Sequence, residues 1–486
     1  MSETVIPGTQ LATVSPVPGA APGGLFDRAL RRITGVWRDM ASSVASTEDD
    51  GLEAQIRACL AGRGGEVSAR NRAAKLAETY LSLDAAGRLG FLRLVAGFDS
   101  DAAAIDDGYA QLRSAGDEAE RVAAKSRLRR ALEPPRQRLL TQFTTIPDGM
   151  RFLVELRTTL LGAIKSMPQH GSSKPEPHLA ALESDLRGLL ANWFDVGFLE
   201  LQRIDWTSPA ALLEKLVGYE AVHEIRSWRD LKNRLDSDRR CYAFFHPRMP
   251  HEPLIFVEVA LVRGLAASVQ RLLDQKAPLQ NPREADAAIF YSISNCQPGL
   301  AGISFGNFLI KRVVGELSAE FANLKTFATL SPIPGFRRWL NQQIRDDDTS
   351  LLTEEETATL LALEPAKTGA AALSLLLARR GWMREPAVAR PLESVLTRLC
   401  ARYLLAESNG RRAIDPVAHF HLSNGARIER INAGADVSDK GLKESAGLMV
   451  NYLYAPDRIE ANHEAYAGEG RRQASTAVRK LSRGWG

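Results

Sequence analysis

The hydrophobic pattern of the chain changes near residue 206, and this change constrains the fold more than any other feature of the sequence. From about Leu25 to Ile204 the apolar residues recur at spacings of three and four, the period of a helix with one buried face. After Trp206, short β-rich runs replace that pattern. The sequence therefore predicts an α-helical bundle at residues 25–206 and an α/β domain at residues 207–486, after a Pro- and Gly-rich tail at residues 1–24.

Five β-rich runs predict the strands of the second domain. The first two flank a proline-rich loop, as in a hairpin with an extended connection, and we expect them to pair antiparallel. The third leads through glycines into a helix at Asn307–Phe321, which predicts a strand, a glycine-rich loop and a helix in succession. The predicted strands are Cys241–His246, Leu254–Val262, Ala288–Ser294, Thr326–Leu330 and His419–Asn432.

A helical insertion is expected between the fourth and fifth runs, at about residues 337–412. Thr353, followed three residues later by Glu356, has the spacing of a capping box, in which each residue hydrogen-bonds the other's backbone N–H at a helix start. The insertion could serve as a lid, a packing extension or an oligomer contact, and the sequence does not choose among these.

Charge and cysteine usage exclude several classes of protein. The 62 basic and 58 acidic residues leave a net charge of +4, which does not indicate a nucleic-acid partner. The longest uncharged run, Ala287–Ile310, contains Asn, Gln, Pro and Gly and is unlike a membrane span. The four cysteines are far apart, which argues against a disulfide framework or a zinc site and fits a reducing compartment.

The loop from Gly299 through Gly302 to Gly306 is the first candidate binding site. Glycines let a backbone approach a ligand closely, and the helix that begins near Asn307 offers free N–H groups to a phosphate or pyrophosphate. The loop matches neither the dinucleotide-binding fingerprint nor the Walker pattern. A plain tight turn remains the alternative interpretation.

Ser331 is the second candidate, because it follows a predicted strand directly and precedes two prolines, Pro332 and Pro334. The prolines fix the backbone beyond the serine, and its hydroxyl could be aimed at a substrate. A turn whose serine bonds local backbone is the alternative. No Gly-x-Ser-x-Gly elbow is present to support an acyl-serine mechanism.

His419 and His421 form the third candidate. In a strand, residues two apart share a face, so both imidazoles would lie on one side of the predicted sheet. Such a pair could act in general acid-base catalysis or bind a metal, or could be one buried and one solvated histidine. No third metal ligand is evident in the sequence, which favours the acid-base interpretation over a metal site.

Several motifs in order along the chain resemble the malonyl-CoA decarboxylase family. The resemblance runs from Cys241 to Tyr454, and the helical half contributes no motif of its own. The segments that carry it are Phe244–Pro247, Ala288–Ser294, Phe308–Val314, Leu330–Phe336, Phe420–Leu422, Asn424–Ala426, Gly447–Met449, Asn451-Tyr452 and Tyr454.

The resemblance implies a helical domain that serves as an oligomer scaffold and a catalytic domain of the GNAT acetyltransferase fold that binds coenzyme A. It implies conversion of malonyl-CoA to acetyl-CoA and carbon dioxide without a metal or organic cofactor. The family's catalytic pair falls on Ser331 and His421, and its active-site tyrosine on Tyr454. The expected CoA-binding residues are Ser294, Gln297, Gly299, Gly302, Gly306, Asn307 and Asn424.

Two other functions fit the same resemblance. A GNAT-type acyltransferase would move an acyl group from coenzyme A to an amine, and a catalytically inactive acyl-CoA sensor or scaffold would bind without turnover. We further expect self-association as a dimer or tetramer, with neither a nucleic-acid nor a membrane partner. The sequence also lacks a recognisable transit peptide and a peroxisomal Ser-Lys-Leu end, which predicts a bacterial cytoplasmic protein.

Overall fold

The structure is a computed structural model that describes residues 36–40, 51–62, 64–166, 176–303, 306–346, 348 and 350–482. The tail predicted at residues 1–24 lies outside these ranges. Side chains are described at all of these residues except 306–308.

A bundle of helices occupies the first part of the chain. Each helix buries one apolar face, as in the helix that places Leu182, Leu186 and Leu190 in the core, where burial of a leucine side chain stabilises the fold by about 2 kcal/mol. The helices are α1 Leu52–Leu60, α2 Glu66–Ser82, α3 Ala85–Gly97, α4 Ala102–Ser114, α5 Glu118–Leu132, α6 Pro135–Phe143, α7 Gly149–Ser166 and α8 Pro177–Trp193.

A seven-stranded mixed sheet forms the centre of the second part, in the order β1-β2-β3-β4-β5-β9-β8. The pair β4 and β5 is parallel and the other neighbours are antiparallel, including the predicted hairpin of β2 and β3. The strands are β1 Glu200–Ile204, β2 Arg239–Phe245, β3 Ile255–Val262, β4 Ala287–Asn295, β5 Thr326–Thr329, β8 Arg427–Asn432 and β9 Met449–Leu453, and Ser408–Asn409 (β6) pairs with Arg412–Ala413 (β7) outside the sheet.

Helices cover the sheet and form the insertion. Before and between the strands lie α9 Ala210–Tyr219, α10 Trp228–Arg234, α11 Val269–Leu272 and α12 Gly306–Glu320. The insertion consists of α13 Phe336–Arg345, α14 Glu354–Leu363, α15 Gly369–Ala378 and α16 Pro386–Leu405. The capping box of Thr353 and Glu356 is present at the start of α14. The remaining helices are α17 Pro416–Ser423, α18 Asp439–Ser445, α19 Ile459–Glu469 and α20 Thr476–Leu481.

The helical bundle followed by a mixed sheet with a helical insertion confirms the predicted fold class. The sheet begins earlier than the change in hydrophobic pattern suggests, because β1 precedes residue 207 and pairs with β2 along its whole length. β1 is an edge strand with mostly exposed side chains, and so it lacks the apolar alternation that marks a strand in sequence.

The fifth predicted strand, His419–Asn432, is wrong in its first half. Residues Pro416–Ser423 form helix α17, and only Arg427–Asn432 is a strand. Asp415 caps the helix by accepting hydrogen bonds from the N–H groups of Val417 and Ala418, and Pro416 occupies the first helical position, where proline is favoured. The two histidines therefore do not share a face.

Strands β4 and β5 diverge at their carboxyl ends. Their pairing ends at Phe290 with Thr329, while β4 continues to Asn295. Beyond β5, Ser331 pairs instead with Val450 of β9, exchanging two backbone hydrogen bonds of 2.8 and 2.9 Å. The carboxyl ends of parallel strands, at the point where neighbouring strands part, are a common place for a ligand.

No helix in the described ranges is both long enough and apolar enough to cross a membrane.

Candidate active site

Ser331 is held rigidly at the carboxyl end of β5. Its backbone N–H and C=O both bond Val450, and Pro332 and Pro334 restrict the chain that follows. The side chain is buried. The sequence interpretation of a fixed serine is therefore supported, although the residue is anchored to a neighbouring strand as well as by its prolines.

His421 approaches Ser331 from the last turn of α17. The Nε2 atom lies 2.9 Å from Ser331 Oγ, and the Nδ1 atom lies 2.8 Å from the Tyr454 hydroxyl. Ser331 Oγ also donates to Thr329 Oγ1 at 2.8 Å. Four side chains from three separate segments thus form one continuous hydrogen-bond chain, Tyr454–His421–Ser331–Thr329.

One arrangement of protons satisfies all three hydrogen bonds that join these four side chains. Tyr454 donates to Nδ1 of His421, Nε2–H donates to Ser331, and Ser331 donates to Thr329. In this arrangement Nε2 carries a proton and Nδ1 accepts one from Tyr454, so a proton that leaves Nε2 can be replaced at Nδ1.

Burial keeps the His421 and Tyr454 side chains of this hydrogen-bond chain uncharged. It lowers the pKa of His421 to about 3 and raises the pKa of the Tyr454 phenol well above its usual value. The imidazole also stacks on Tyr452, with ring centroids 4.5 Å apart. His421 is therefore a neutral imidazole at physiological pH, held in position by an aromatic face and two hydrogen bonds.

Asp415 connects the helix that carries His421 to the loop that follows Ser331. One carboxylate oxygen accepts from the N–H groups of Val417 and Ala418, and the other accepts from Gly335 N–H at 3.3 Å and from the Tyr403 hydroxyl at 3.2 Å. A Cβ atom at Gly335 would lie 2.1 Å from the Tyr403 oxygen, so this position requires glycine. The Asp415 carboxylate thereby links helix α17, which carries His421, to the loop that follows Ser331.

The neutral state of His421 gives a testable dependence of stability on pH. Because the folded pKa is about 3 and the unfolded value is about 6.5, the unfolded chain binds more protons below pH 6.5, and the free energy of unfolding falls as pH falls. His421→Asn should flatten this dependence by roughly 1.4 kcal/mol per pH unit between about pH 6 and pH 4. Urea unfolding at a series of pH values measures it.

His419→Asn is the control for that measurement, because the His419 ring is only partly buried. It should change the pH dependence of the unfolding free energy much less. Equal slopes in the His421→Asn variant and the unmodified protein would contradict a buried neutral imidazole.

His419 lies apart from the site, which corrects the expectation of two imidazoles on one face. Its Nδ1 atom is 2.8 Å from the Tyr466 hydroxyl, on α19. In a helix, residues two apart lie on nearly opposite sides, so His421 faces Ser331 while His419 faces α19. No cluster of three or more His, Cys, Asp or Glu side chains suited to a metal ion occurs in the part of the chain that the structure describes.

The expected CoA-binding residues follow β4 and differ in what their side chains do. Ser294 Oγ donates to the Glu220 carboxylate at 3.3 Å, and Gln297 Nε2 donates to the Pro253 carbonyl at 3.0 Å, so both side chains bond distant segments of the protein. Gly302 has a φ of 76°, which favours glycine, and space beside its Cα. Gly306 and Asn307 begin α12, but their side chains lie outside the described set.

Gly299 and Asn424 are the two remaining residues that were expected to bind CoA. Gly299 is packed against the helical bundle, because a Cβ atom there would lie 1.9 Å from the Val154 carbonyl oxygen of α7. Asn424 caps the end of α17 and donates to the Phe420 carbonyl at 2.6 Å, while its buried Oδ1 has no hydrogen-bond partner in the structure. An orphaned buried acceptor near His421 marks a position where a ligand donor would be favourable.

Sequence reasoning did not identify Thr329, Tyr452 or Asp415 as site residues. Thr329 Oγ1 accepts from the Tyr452 N–H at 3.1 Å and from Ser331, and this role depends on strand pairing that spans more than a hundred residues. The Asp415-Pro416 pair, in contrast, is a local helix-start signal that was available in the sequence.

Comparison with known proteins gives the same family at every level. The sequence matches the malonyl-CoA decarboxylase C-terminal domain over residues 197–485 and the malonyl-CoA decarboxylase N-terminal domain over residues 98–194. It is 34% identical over 476 residues to the mitochondrial malonyl-CoA decarboxylase of Anser anser anser, covering 93% of each protein.

Solved structures agree. The crystal structure of malonyl-CoA decarboxylase from Rhodopseudomonas palustris is 42% identical, with a TM-score of 0.78 over 88% of this chain and 98% of that one. The enzyme from Agrobacterium vitis is 41% identical, with a TM-score of 0.79 over 88% and 99% of the two chains. The matches cover both the helical and the catalytic parts, and this chain belongs to the malonyl-CoA decarboxylase family.

Proposed function

We propose that this protein converts malonyl-CoA to acetyl-CoA and carbon dioxide, with Ser331 and His421 acting on the malonyl group. The observation that carries the proposal is the buried chain Tyr454–His421–Ser331, with contacts of 2.8 and 2.9 Å. It stands at the carboxyl end of β5, beyond the point where the pairing of β4 with β5 ends. Relatives that are 34% to 42% identical over most of the chain are named as malonyl-CoA decarboxylases.

Decarboxylation of a β-keto thioester has two chemical requirements. Loss of carbon dioxide leaves the bonding electron pair as an enolate, so negative charge on the thioester oxygen must be stabilised. The C2 carbon must then receive a proton. A hydroxyl donor and a positioned acid meet these requirements, and neither step needs an acyl-enzyme.

Ser331 supplies the first group in this proposal. Its hydroxyl turns its proton from Thr329 to the thioester oxygen of the malonyl group, and this contact sets the carboxylate out of the thioester plane, where the breaking bond overlaps the carbonyl π system. The fixed backbone at Val450 keeps this donor in place before substrate arrives. The dry surroundings of the site strengthen each such contact.

His421 and Tyr454 supply the proton. Nε2–H of the neutral imidazole transfers its proton to C2 while Nδ1 accepts the proton of the Tyr454 hydroxyl, so the imidazole is neutral before and after. The enolate is a much stronger base than a phenolate, which drives the transfer. After acetyl-CoA leaves, Nδ1 returns its proton to the Tyr454 oxygen and Nε2 takes a proton from solvent, so that malonyl-CoA and one proton give acetyl-CoA and carbon dioxide.

The coenzyme is proposed to lie along the chain from Ser294 to Gly306. The start of α12, a helix of 15 residues, offers N–H groups and a partial positive charge to the pyrophosphate. Asn424, with its orphaned Oδ1, would accept a hydrogen bond from an amide N–H of the pantetheine. No metal or organic cofactor is part of the proposed reaction.

Self-association through the helical bundle is a further part of the proposal. Helices α4 and α5 form a hairpin in which only Gly108 and Ala124 are buried. Tyr109, Val122 and Leu132 on this hairpin are all more than half exposed. A second copy of the chain would cover such a surface, as a dimer or a tetramer.

For the cell location, the bacterial sources of the solved relatives support the bacterial cytoplasm.

The test is a turnover assay of purified protein with malonyl-CoA in the presence of a chelator, with a parallel panel of amine acceptors. We expect acetyl-CoA and carbon dioxide to appear in equal amounts, unaffected by chelator or amines. Acyl transfer to an amine without carbon dioxide would favour the acyltransferase. Binding of CoA thioesters without any product would favour the sensor, and either result would overturn the proposal.

A further inference from the structure

Arg157 reaches from helix α7 of the bundle to the glycine-rich loop that follows β4. Its Nη1 atom donates to the Gly299 carbonyl at 2.7 Å and to the Ala301 carbonyl at 2.8 Å. The side chain is only 2% exposed. An arginine of the helical bundle is therefore in direct contact with the backbone of the proposed CoA site.

The opposite edge of the same guanidinium is fixed as well. Glu183 on α8 accepts from Nη2 at 2.6 Å and from Nε at 3.2 Å. A planar guanidinium held on two edges has little freedom to turn, because its donors have a fixed fork geometry. Two helices of the bundle thus set the position of the carbonyl groups of Gly299 and Ala301 in the loop.

These contacts also orient an N–H donor. In a trans peptide the C=O and N–H groups point in opposite directions, so the Ala301 carbonyl that faces Arg157 directs the Gly302 N–H away from it. The described part of the chain has no cis peptide bond. The positive φ of Gly302 maintains this arrangement at a residue where glycine has no steric penalty.

The same contacts remove unfavourable charge from the loop. Carbonyl oxygens carry partial negative charge and would repel a phosphate, and Arg157 draws the oxygens of Gly299 and Ala301 toward the bundle. Direct packing reinforces this orientation, since a Cβ atom at Gly299 would lie 1.9 Å from the Val154 carbonyl oxygen. The N–H groups of Leu300 and Ala301 donate to the Gln297 and Pro298 carbonyls, so the donor that this orientation offers to an anion is the Gly302 N–H.

We propose that Arg157 is a positioning residue for coenzyme A, orienting the 299–302 backbone so that the Gly302 N–H faces the pyrophosphate. The inference rests on the proposed function, because it assumes that this loop binds an acyl-CoA. It assigns the helical bundle a part in substrate binding in addition to self-association.

The test compares Arg157→Met with the unmodified protein on two substrates. KM for malonyl-CoA should rise roughly tenfold, the effect of losing an oriented donor to a charged group, with kcat changed less than about twofold. KM for malonyl-pantetheine, which lacks the pyrophosphate, should not change. A general structural defect would alter both substrates alike.

Three further variants separate binding from stability. Arg157→Met combined with Glu183→Gln leaves no carboxylate without its partner and should show the same KM pattern. Arg157→Lys, which places a single charge near the carbonyls, should recover part of the loss. Arg136→Met is the matched control, because Arg136 is also buried and paired, with Asp185 at 2.6 Å, but contacts only the helical bundle.

Each outcome is informative. An unchanged KM for malonyl-CoA in both Arg157→Met variants, or an equal rise in Arg136→Met, would overturn the role of Arg157. If the unmodified protein formed no acetyl-CoA, the proposed function would fail instead, and the affinity for CoA itself, compared between the same variants, would still decide whether Arg157 orients this loop.

Discussion

Replacing His421 with asparagine is expected to lower kcat for malonyl-CoA roughly a thousandfold, the usual contribution of a positioned general acid. The imidazole is buried, neutral and 2.9 Å from Ser331, so its loss removes the group that we propose as the proton donor to C2. Asparagine keeps a polar side chain of similar reach but has no proton that it can transfer readily. KM should stay within about twofold, because the coenzyme is proposed to lie along a different segment.

His419→Asn provides the matched control for this variant. Both substitutions remove one imidazole from α17. His419 contacts Tyr466, whereas His421 belongs to the hydrogen-bond chain of Ser331. Steady-state kinetics of the two variants, with binding of acetyl-CoA measured by calorimetry, should show full turnover for His419→Asn and full binding for both. Comparable activity in the two variants would remove His421 from the mechanism.

Substituting Ser331 with alanine is expected to lower kcat roughly a hundredfold, as when one preorganised donor to a developing oxyanion is deleted. The effect is smaller than for His421 because the acid and the dry pocket remain. Alanine removes the hydroxyl without disturbing the backbone bonds to Val450, so the fold should be unchanged. Acetyl-CoA formation and thermal unfolding of the same preparation measure the two effects separately.

Ser445→Ala is a suitable control for Ser331→Ala. Ser445 is an equally buried serine whose hydroxyl donates to the Gly441 and Leu448 carbonyls, away from the site. It should lose stability with little change in kcat. If Ser331→Ala retained the activity of this control, the positioning role of Ser331 would be wrong.

Much of the central sheet could be predicted from sequence because its strands are buried apolar runs. The predicted ends of β2, β3, β4 and β5 lie within two residues of those observed. β9 was missed because Asn451 interrupts its apolar pattern. That amide is buried without penalty, since it donates to the Thr329 and Ala266 carbonyls, and no local pattern reveals such distant partners.

In the site, too, some residues could be predicted from the sequence and others could not. Ser331, His421 and Tyr454 were identified through the family resemblance, and the structure brings all three together. Hydrophobic periodicity predicts a strand at His421, because a short apolar run fits either period, whereas the Asp415-Pro416 pair is the local signal for the helix observed there. The contact of Arg157 with the glycine loop links residues more than 140 positions apart, and sequence spacing cannot indicate it.

We propose that the hydrogen-bonded side chains of Tyr454, His421 and Ser331 decarboxylate malonyl-CoA without a covalent intermediate. The most direct test is a rapid-quench experiment that follows acetyl-CoA, carbon dioxide and the intact mass of the protein in the same samples. We predict equal amounts of the two products from the first turnover and an unchanged protein mass. A malonyl adduct on Ser331 that forms and decays at the rate of turnover would contradict the account.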